Sequence, residues 1–366
     1  GGDEWDIKDN WVDSKTPECI WFGVSCDKDG AVVTLELSGN NLKGEVKNQL
    51  GLIKSLKRIN LSANHLKGTI QHDWWKLSNL VSLNLNDNHI SGETPALVNS
   101  HGKPLLPLLE ELHLAGNQIN GSIYRSFDNV TNLKALDMTI NLINGNFPSF
   151  SSSSNLQRLL LGNTYLSGLI PTAWTRLSLL EELNLLNLEN TIGNISVLNQ
   201  MTGLRYLDIS GAGSWGQLPK SIGTLSLLEY FGVNFAFNSG TMPTDIYLLT
   251  NLKYFNIAGN PVKGTIPTEI GMCSNLEELV LGPSSLTGVL PTELGNLTSL
   301  TMFDVSYSFL QGTLPSQLGF LHNLTDIVVF NSGIQGAMPK EICSSNVLSI
   351  TSHEGQFTEC SCCIDI

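Results

Sequence analysis

Charge is scarce in this chain, and basic charge scarcer still. Only 14% of its 366 residues are charged, with 20 Lys+Arg against 33 Asp+Glu and a formal net charge of −13 at pH 7. A phosphate-backbone binder draws its affinity from clustered Lys and Arg, so no nucleic acid partner is expected; an anionic membrane surface is disfavoured on the same ground. No run of about 20 apolar residues is present, so no membrane insertion is expected within this segment. The chain opens at Gly1-Gly2-Asp3-Glu4 with neither an initiator Met nor a signal peptide, as a mature or excised segment would. Catalytic signatures are missing too: there is no G-x-S-x-G, no H-E-x-x-H and no Gly-rich phosphate loop opening a long helix. What remains is 41% hydrophobic with 34 Gly, enough for a core and too apolar for a disordered linker. Length alone, at roughly 150 residues per domain, would give two or three globules.

Self-comparison overrides that prior. The pattern L-x-L-x-x-N-x-L-x-G-x-[IL]-P recurs, indexed by the first residue of its L-x-L pair at Leu35, Ile59, Leu83, Leu112, Leu136, Leu159, Leu183, Leu207, Phe231, Phe255, Leu279, Phe303 and Ile327. The spacing is 24 except for 29 between Leu83 and Leu112 and 23 between Leu136 and Leu159. L-x-L has a period of two and reads as a short strand. Nine residues on comes a Gly in nearly every copy, ten on at Gly193, and then dipeptides such as Ile170-Pro171, Ile266-Pro267 and Leu314-Pro315 that suit a second extended segment. Helical-turn stretches such as Thr268-Glu269-Ile270-Gly271 return the chain. A single coil cannot bury its Leu face, so neighbours must stack into a solenoid. At about 4.8 Å per strand the parallel sheet would run roughly 60 Å.

These copies resemble the plant-type (LxGxIP) class of leucine-rich repeat, over about residues 30 to 342. Gly1-Gly2-Asp3-Glu4-Trp5, Asn10-Trp11 and Cys19-Ile20-Trp21-Phe22-Gly23-Val24-Ser25-Cys26 are similar to the cap that precedes such repeats, and the resemblance implies that Cys19 pairs with Cys26. The stretch 290–300 and the end Cys360-Ser361-Cys362-Cys363 also resemble secreted or surface repeat proteins of diatom-like algae. The expected fold is therefore an α/β repeat: a right-handed leucine-rich-repeat solenoid of about 13 coils with a parallel concave sheet. It comprises an N-terminal disulfide cap over 1–30, the solenoid over 31–342 and a C-terminal Cys-rich cap over 343–366.

The family's ladder Asn, five residues after the index, is present as Asn40, Asn64, Asn88, Asn117, Asn141 and Asn260. It becomes Thr164, Leu188, Ala212, Ala236, Ser284, Ser308 and Ser332 elsewhere. Thr and Ser can still donate one bond, whereas Leu188, Ala212 and Ala236 cannot, so those coils need other partners or an irregular path. The extra residue between Leu183 and Gly193 suggests a bulge. Seven cysteines split into Cys19 and Cys26 in front, Cys343, Cys360, Cys362 and Cys363 behind, and Cys273 inside a coil. Cys343 is expected to pair with Cys360 or Cys362; a metal cluster is the alternative, though Cys-Ser-Cys-Cys lacks the C-x2-C pairs of zinc sites. Cys273 reads as a buried free thiol. Disulfide caps imply an oxidising compartment. The sequons Asn60, Asn129, Asn194, Asn296 and Asn323 agree, although the repeat itself tends to write Asn-Leu-Thr.

Candidate chemistry is thin. His65 and His89 should stack one strand apart beside Asp87, a pair that could hold a metal but reads better as a solvated edge. Asp27-Lys28-Asp29-Gly30 begins like a calcium loop without the downstream Glu, so a hairpin turn is preferred. The insertion Val98-Asn99-Ser100-His101-Gly102-Lys103-Pro104 is read as a tolerated loop. The concave positions are more informative. They carry Glu36, Asp87, Glu111, Asp137, Glu182, Asp208, Glu278, Asp304 and Asp326 against Arg58 and Arg158. Tyr206, Tyr230 and Tyr254 share one strand position in successive coils, a ladder of about 10 Å, with Asp208, Asn234, Phe235, Asn256 and Tyr307 nearby in register. Aromatic area with a polar tip suits an interface, although cross-strand aromatics also stabilise sheets.

The expected function is an extracellular, non-enzymatic binding platform for protein or glycoprotein partners in adhesion, matrix assembly or recognition, with no cofactor and no metal. The alternatives are the ligand-sensing ectodomain of a membrane receptor whose spanning helix follows Ile366, and an inhibitor of a secreted hydrolase. Pairing of copies into a homodimer stays open.

Overall fold

Each L-x-L pair lays down a three-residue strand whose central residue is driven inward. Arg58–Asn60, Ser82–Asn84 and Glu111–His113 are such strands, and Ile59, Leu83 and Leu112 at their centres are buried. The computed structural model describes residues 5–11, 15–123, 125–188, 190–191, 195–211, 213, 216–236, 239–353, 355–358 and 364–365. The chain divides into two compact units, Gly1–Leu180 and Glu181–Ile366.

In the first unit, Val24–Cys26 pairs antiparallel with Val32–Glu36. From there Arg58–Asn60, Ser82–Asn84, Glu111–His113, Ala135–Asp137 and Arg158–Leu160 follow in parallel, index residue beside index residue. A second parallel wall runs through Lys43–Glu45, His65–Thr69, His89–Glu93, Gln118–Ser122, Leu142–Asn146 and Tyr165–Gly168. The second unit repeats the plan. Glu182–Asn184, Tyr206–Asp208, Tyr230–Gly232, Tyr254–Asn256, Glu278–Val280, Met302–Asp304, Asp326–Val328 and Ser349–Ser352 pair in parallel. Its other wall holds Asn260–Gly264, Ser284–Val289, Phe309–Gly312 and Gly333–Ile334. Both units are therefore parallel-sheet solenoid, as the periodicity requires.

The second wall sits earlier in the coil than the I-P dipeptides suggest. Its strands end at or just past the recurring Gly, while Pro171, Pro267 and Pro315 each stand as the extended residue before a 3₁₀ turn. Those turns, Thr172–Arg176, Thr268–Met272 and Ser316–Phe320, open on donors that have no partner within the turn, and a residue without an N–H is suited to their threshold. The Gly is required by space as well as by backbone. At Gly92 φ is +99°, and a Cβ there would lie 2.7 Å from Thr69 Cγ2 of the preceding coil.

Buried polar groups are closed by the Asn ladder. Asn64 donates from Nδ2 to the Leu37, Leu61 and Ser62 carbonyls and accepts at Oδ1 from the Asn40 and Leu42 amides. Where the ladder residue shortens, Thr164, Ser308 and Ser332 each still donate one bond, to Leu161, Val305 and Val329 O. Leu188 is buried without a polar group, and its coil answers locally: the Leu188 carbonyl accepts from Thr191 N and Oγ1 and from Gly213 N. The Ala236 amide is met by Asn260 Oδ1. Ala212 and Gly193 lie outside the described residues, and with them the expected bulge.

Cys19 and Cys26 form a disulfide with Cα atoms 5.4 Å apart, and Cys343 is disulfide-bonded. Cys360, Cys362 and Cys363 lie outside the described residues. Cys273 is a free, buried thiol that donates to Ile246 O, and burial pushes its pKa up to about 11. Residues Asp27 to Gly30 make a hairpin turn in which Asp27 Oδ1 accepts from the Asp29 and Ala31 amides. The insertion closes on itself, with an antiparallel bridge between Val98 and Pro104 and Asn99 Oδ1 accepting from the His101 and Lys103 amides.

Candidate ligand-binding face

The outward residues of five successive strands in the second unit build one row. Parallel register sets Glu182 beside Tyr206, Tyr206 beside Tyr230, Tyr230 beside Tyr254, and Tyr254 beside Glu278. The tyrosine rings stack face to face, centroids 4.2 and 4.3 Å apart with interplanar angles of 12° and 1°. That is closer than the strands themselves, about 4.8 Å apart, so the rings converge above the backbone. Gly232 leaves room for this. A Cβ there would stand 3.0 Å from both Tyr230 Cε1 and Asp208 Oδ1, in space that the ring and the carboxylate occupy. One hydrogen bond anchors the end of the stack: Asn256 Nδ2 donates to the Tyr254 hydroxyl at 3.0 Å. Burial, seconded by the Asp208 charge, pushes the Tyr206 phenol up to about 12, and the same causes raise Tyr230.

Asp208 is not a surface acid. It is 5% exposed, and its Oδ1 accepts the Ser210 amide at 2.9 Å. The same bond recurs one residue after several index positions: Asn60 to Ser62 N, Asp137 to Thr139 N, Asn256 to Ala258 N and Asp304 to Ser306 N. The chain turns off the strand there, and a short Asx side chain satisfies the amide left without a ladder partner. Several of the acids counted toward a charged face are therefore turn caps. Gly232 breaks this rule too, and the Asn234 amide is met instead by Ser210 Oγ from the preceding coil. In the second unit Glu182, Glu278 and Asp326, half-buried at the strand row before the index, are left to charge the face, as Glu36, Asp87 and Glu111 are in the first. Ser349 and Thr325 hydroxyls bonded to Asp326 hold its carboxyl below the usual range.

Phe235 and Tyr307 occupy the next row out. Both take left-handed backbone, φ 53° and 49°, and both are exposed, Phe235 by 64%. The Phe235 ring lies where a Cβ on Gly259 would be, 2.3 Å from that position. Tyr307 does not join the tyrosine stack. It packs edge-on against Phe330 at 5.4 Å, and Phe330 stacks on His353 at 5.9 Å. Phe330 and His353 escaped the sequence reading; both fall three residues after a strand centre, 23 residues apart, a signal visible only once that row is known to face outward. Asn234 is half-buried beside Phe235.

The remaining sites scatter. His65 and His89 stack with centroids 5.9 Å apart in the first unit, and no group of three or more metal-ligating side chains occurs among the described residues. Asn60 is half-buried on its strand, with Oδ1 accepting from Ser62. Asn129 and Asn296 are exposed, each the last residue of a 3₁₀ turn. Asn323 donates from Nδ2 to Thr298 O, and Asn194 lies outside the described residues. No helix among the described residues is long and apolar enough to cross a membrane.

Residues 172–361 match a family model described as a leucine-rich repeat region, and residues 79–100 and 108–130 match the single leucine-rich repeat. Over 120 residues the chain is 32% identical to the receptor-like protein kinase HAIKU2 of Arabidopsis thaliana, which covers 31% of this chain and 12% of that protein. The solved Arabidopsis receptor kinase HAESA, in complex with the peptide hormone IDA and the co-receptor SERK1, superposes with a TM-score of 0.83 at 29% identity, covering 95% of this chain and 58% of that one. The plant peptide hormone receptor RGFR1, in complex with RGF2, gives 0.81 at 27% identity, covering 92% and 56%. The chain thus spans little more than half the length of these solved relatives.

Proposed function

Because the chain belongs to the leucine-rich repeat family, we propose that it is the ligand-sensing ectodomain of a plant-type cell-surface receptor, taking an extended peptide across Tyr206, Tyr230 and Tyr254. One observation carries this reading: three tyrosines stacked face to face and half-buried, between Glu182 and Glu278. Such a platform loses little freedom on binding, because its rings are ordered beforehand, and each ring offers apolar area with a polar tip. The flanking carboxylates favour a ligand with a Lys or Arg beyond each end of the stack. HAESA is solved with a peptide hormone and RGFR1 is a peptide hormone receptor, which supports peptide sensing over the adhesion or matrix platform that the sequence alone put first. Those likenesses are to plant receptors and add nothing to an algal origin, a homodimer or an inhibitory role.

Linear peptides displayed on phage and panned against the full chain test the reading. Enriched peptides should carry basic residues and lose about tenfold or more in affinity when Tyr206, Tyr230 and Tyr254 are all replaced by Ala, as central aromatic anchors do. Equal binding to the triple variant, or no enrichment, would sink it. Whether the protein is anchored or secreted is a separate matter, read from the full-length transcript by about 20 apolar residues downstream.

A further inference from the structure

The outer side of the second unit carries an apolar row that no part of the described chain covers. The last residues of successive 3₁₀ turns are Leu248 of Thr244–Leu248, Met272 of Thr268–Met272, Asn296 of Thr292–Asn296 and Phe320 of Ser316–Phe320. Leu248 is 43% exposed, Met272 56% and Phe320 62%. These turns lie shoulder to shoulder. A Cβ on Gly271 would come within 2.5 Å of Glu293 O, and one on Gly295 within 2.5 Å of Gln317 Cβ. Leu248 and Met272, with Phe320 beyond Asn296, form an apolar row interrupted only by Asn296, and exposed apolar patches on soluble surfaces are ordinarily covered. The single polar member of the row, Asn296, heads the sequon Asn296-Leu297-Thr298 and is itself exposed.

We infer that Asn296 carries an N-linked glycan whose inner sugars lie over Met272 and Phe320. The Asn296 Nδ2 bonds to the anomeric carbon of an oligosaccharide borne on a polyprenyl diphosphate. The C–O bond to the carrier breaks, the diphosphate leaves with that electron pair, and the amide gives up one N–H proton. A sugar chain rooted between a thioether and an aromatic ring covers both with its C–H faces while presenting hydroxyls to water. Each of the other described sequons differs in one respect. Asn323 uses its Nδ2 on Thr298 O, Asn60 lies half-buried on the strand face opposite, and Asn129 ends its turn where the matching residue of the next coil is the buried Ser153. The inference rests on the extracellular part of the proposed function and not on its ligand.

The full chain secreted from a plant or insect host tests it by peptide mapping before and after endoglycosidase. Asn296 should be occupied. Thr298→Ala, which abolishes the sequon and leaves Asn296 in place, should raise binding of an apolar-surface dye and self-association several-fold. Adding Met272→Ser and Phe320→Ser to that variant should reverse both changes, whereas Asn129→Gln should leave them unmoved. An unglycosylated Asn296 in the secreted protein overturns the inference, whatever the other sequons carry. So does a Thr298→Ala protein as dye-silent and monodisperse as its parent. Neither result bears on peptide panning, so the two readings fail separately.

Discussion

Tyr206 carries a signature that solution measurement can reach. Its phenol, ordinarily near 10, is pushed up to about 12 by burial first and by Asp208 second. Between those values the unfolded chain has lost the proton and the folded chain keeps it. Stability is therefore unaffected below pH 10 and falls as pH rises through about 12. Denaturant titrations from pH 9 to 12 should show that decline, and Tyr206→Phe should lessen it, the raised Tyr230 phenol supplying the remainder; an unchanged slope would mean the Tyr206 phenol is not held as described. Asn64 offers a second test. Replacing it by Ala leaves the Asn40 and Leu42 amides without their acceptor inside the coil. Each buried orphan costs about 1–3 kcal/mol, so Asn64→Ala should lose about 3 kcal/mol by denaturant midpoint, with strand pairing nearby exchanging faster. Asp208 shows where residue-level reading fails. An outward strand position and a negative charge looked like a binding contact, yet the carboxylate serves the Ser210 amide. Sequence records the charge and hides the orphan donor that it satisfies.

At the scale of elements, the coil was legible because its period is enforced by burial. An inward leucine every 24 residues leaves one way to stack, and the tyrosine row followed directly, since one strand position in successive coils must fall in one line. The placement of the second wall was less legible, because Ile-Pro reads as extended whether it ends a strand or introduces a 3₁₀ turn. Gly232 was invisible for a different reason: its contribution is the absence of a side chain. A methyl there meets Tyr230 and Asp208 at 3.0 Å, so Gly232→Ala forces the stack to shift. Such overpacking costs about 1–3 kcal/mol. The variant should fold with a lower midpoint, a smaller tyrosine near-ultraviolet signal and weaker peptide binding. A variant as stable as the parent, with the same spectrum, would mean that the space over Gly232 does not set the ring geometry.

For the molecule as a whole, a net charge of −13 and the carboxylates of Glu182, Glu278 and Asp326 act at different ranges. The net charge draws any basic ligand from a distance, and that attraction is screened within about 8 Å at physiological salt. The tyrosine stack acts only on contact and owes nothing to salt. Encounter and retention should therefore separate by ionic strength. For a Lys- or Arg-bearing peptide selected on the full chain, raising salt should slow association markedly and leave dissociation nearly unchanged. Tyr230→Ala should do the reverse, speeding dissociation at every salt concentration with association intact. Stopped-flow or surface binding across a salt series reads both rates. If salt moved dissociation as strongly as association, the ligand would be held by its charges, and the aromatic row would be part of the sheet's own cohesion instead of the place where a peptide is gripped.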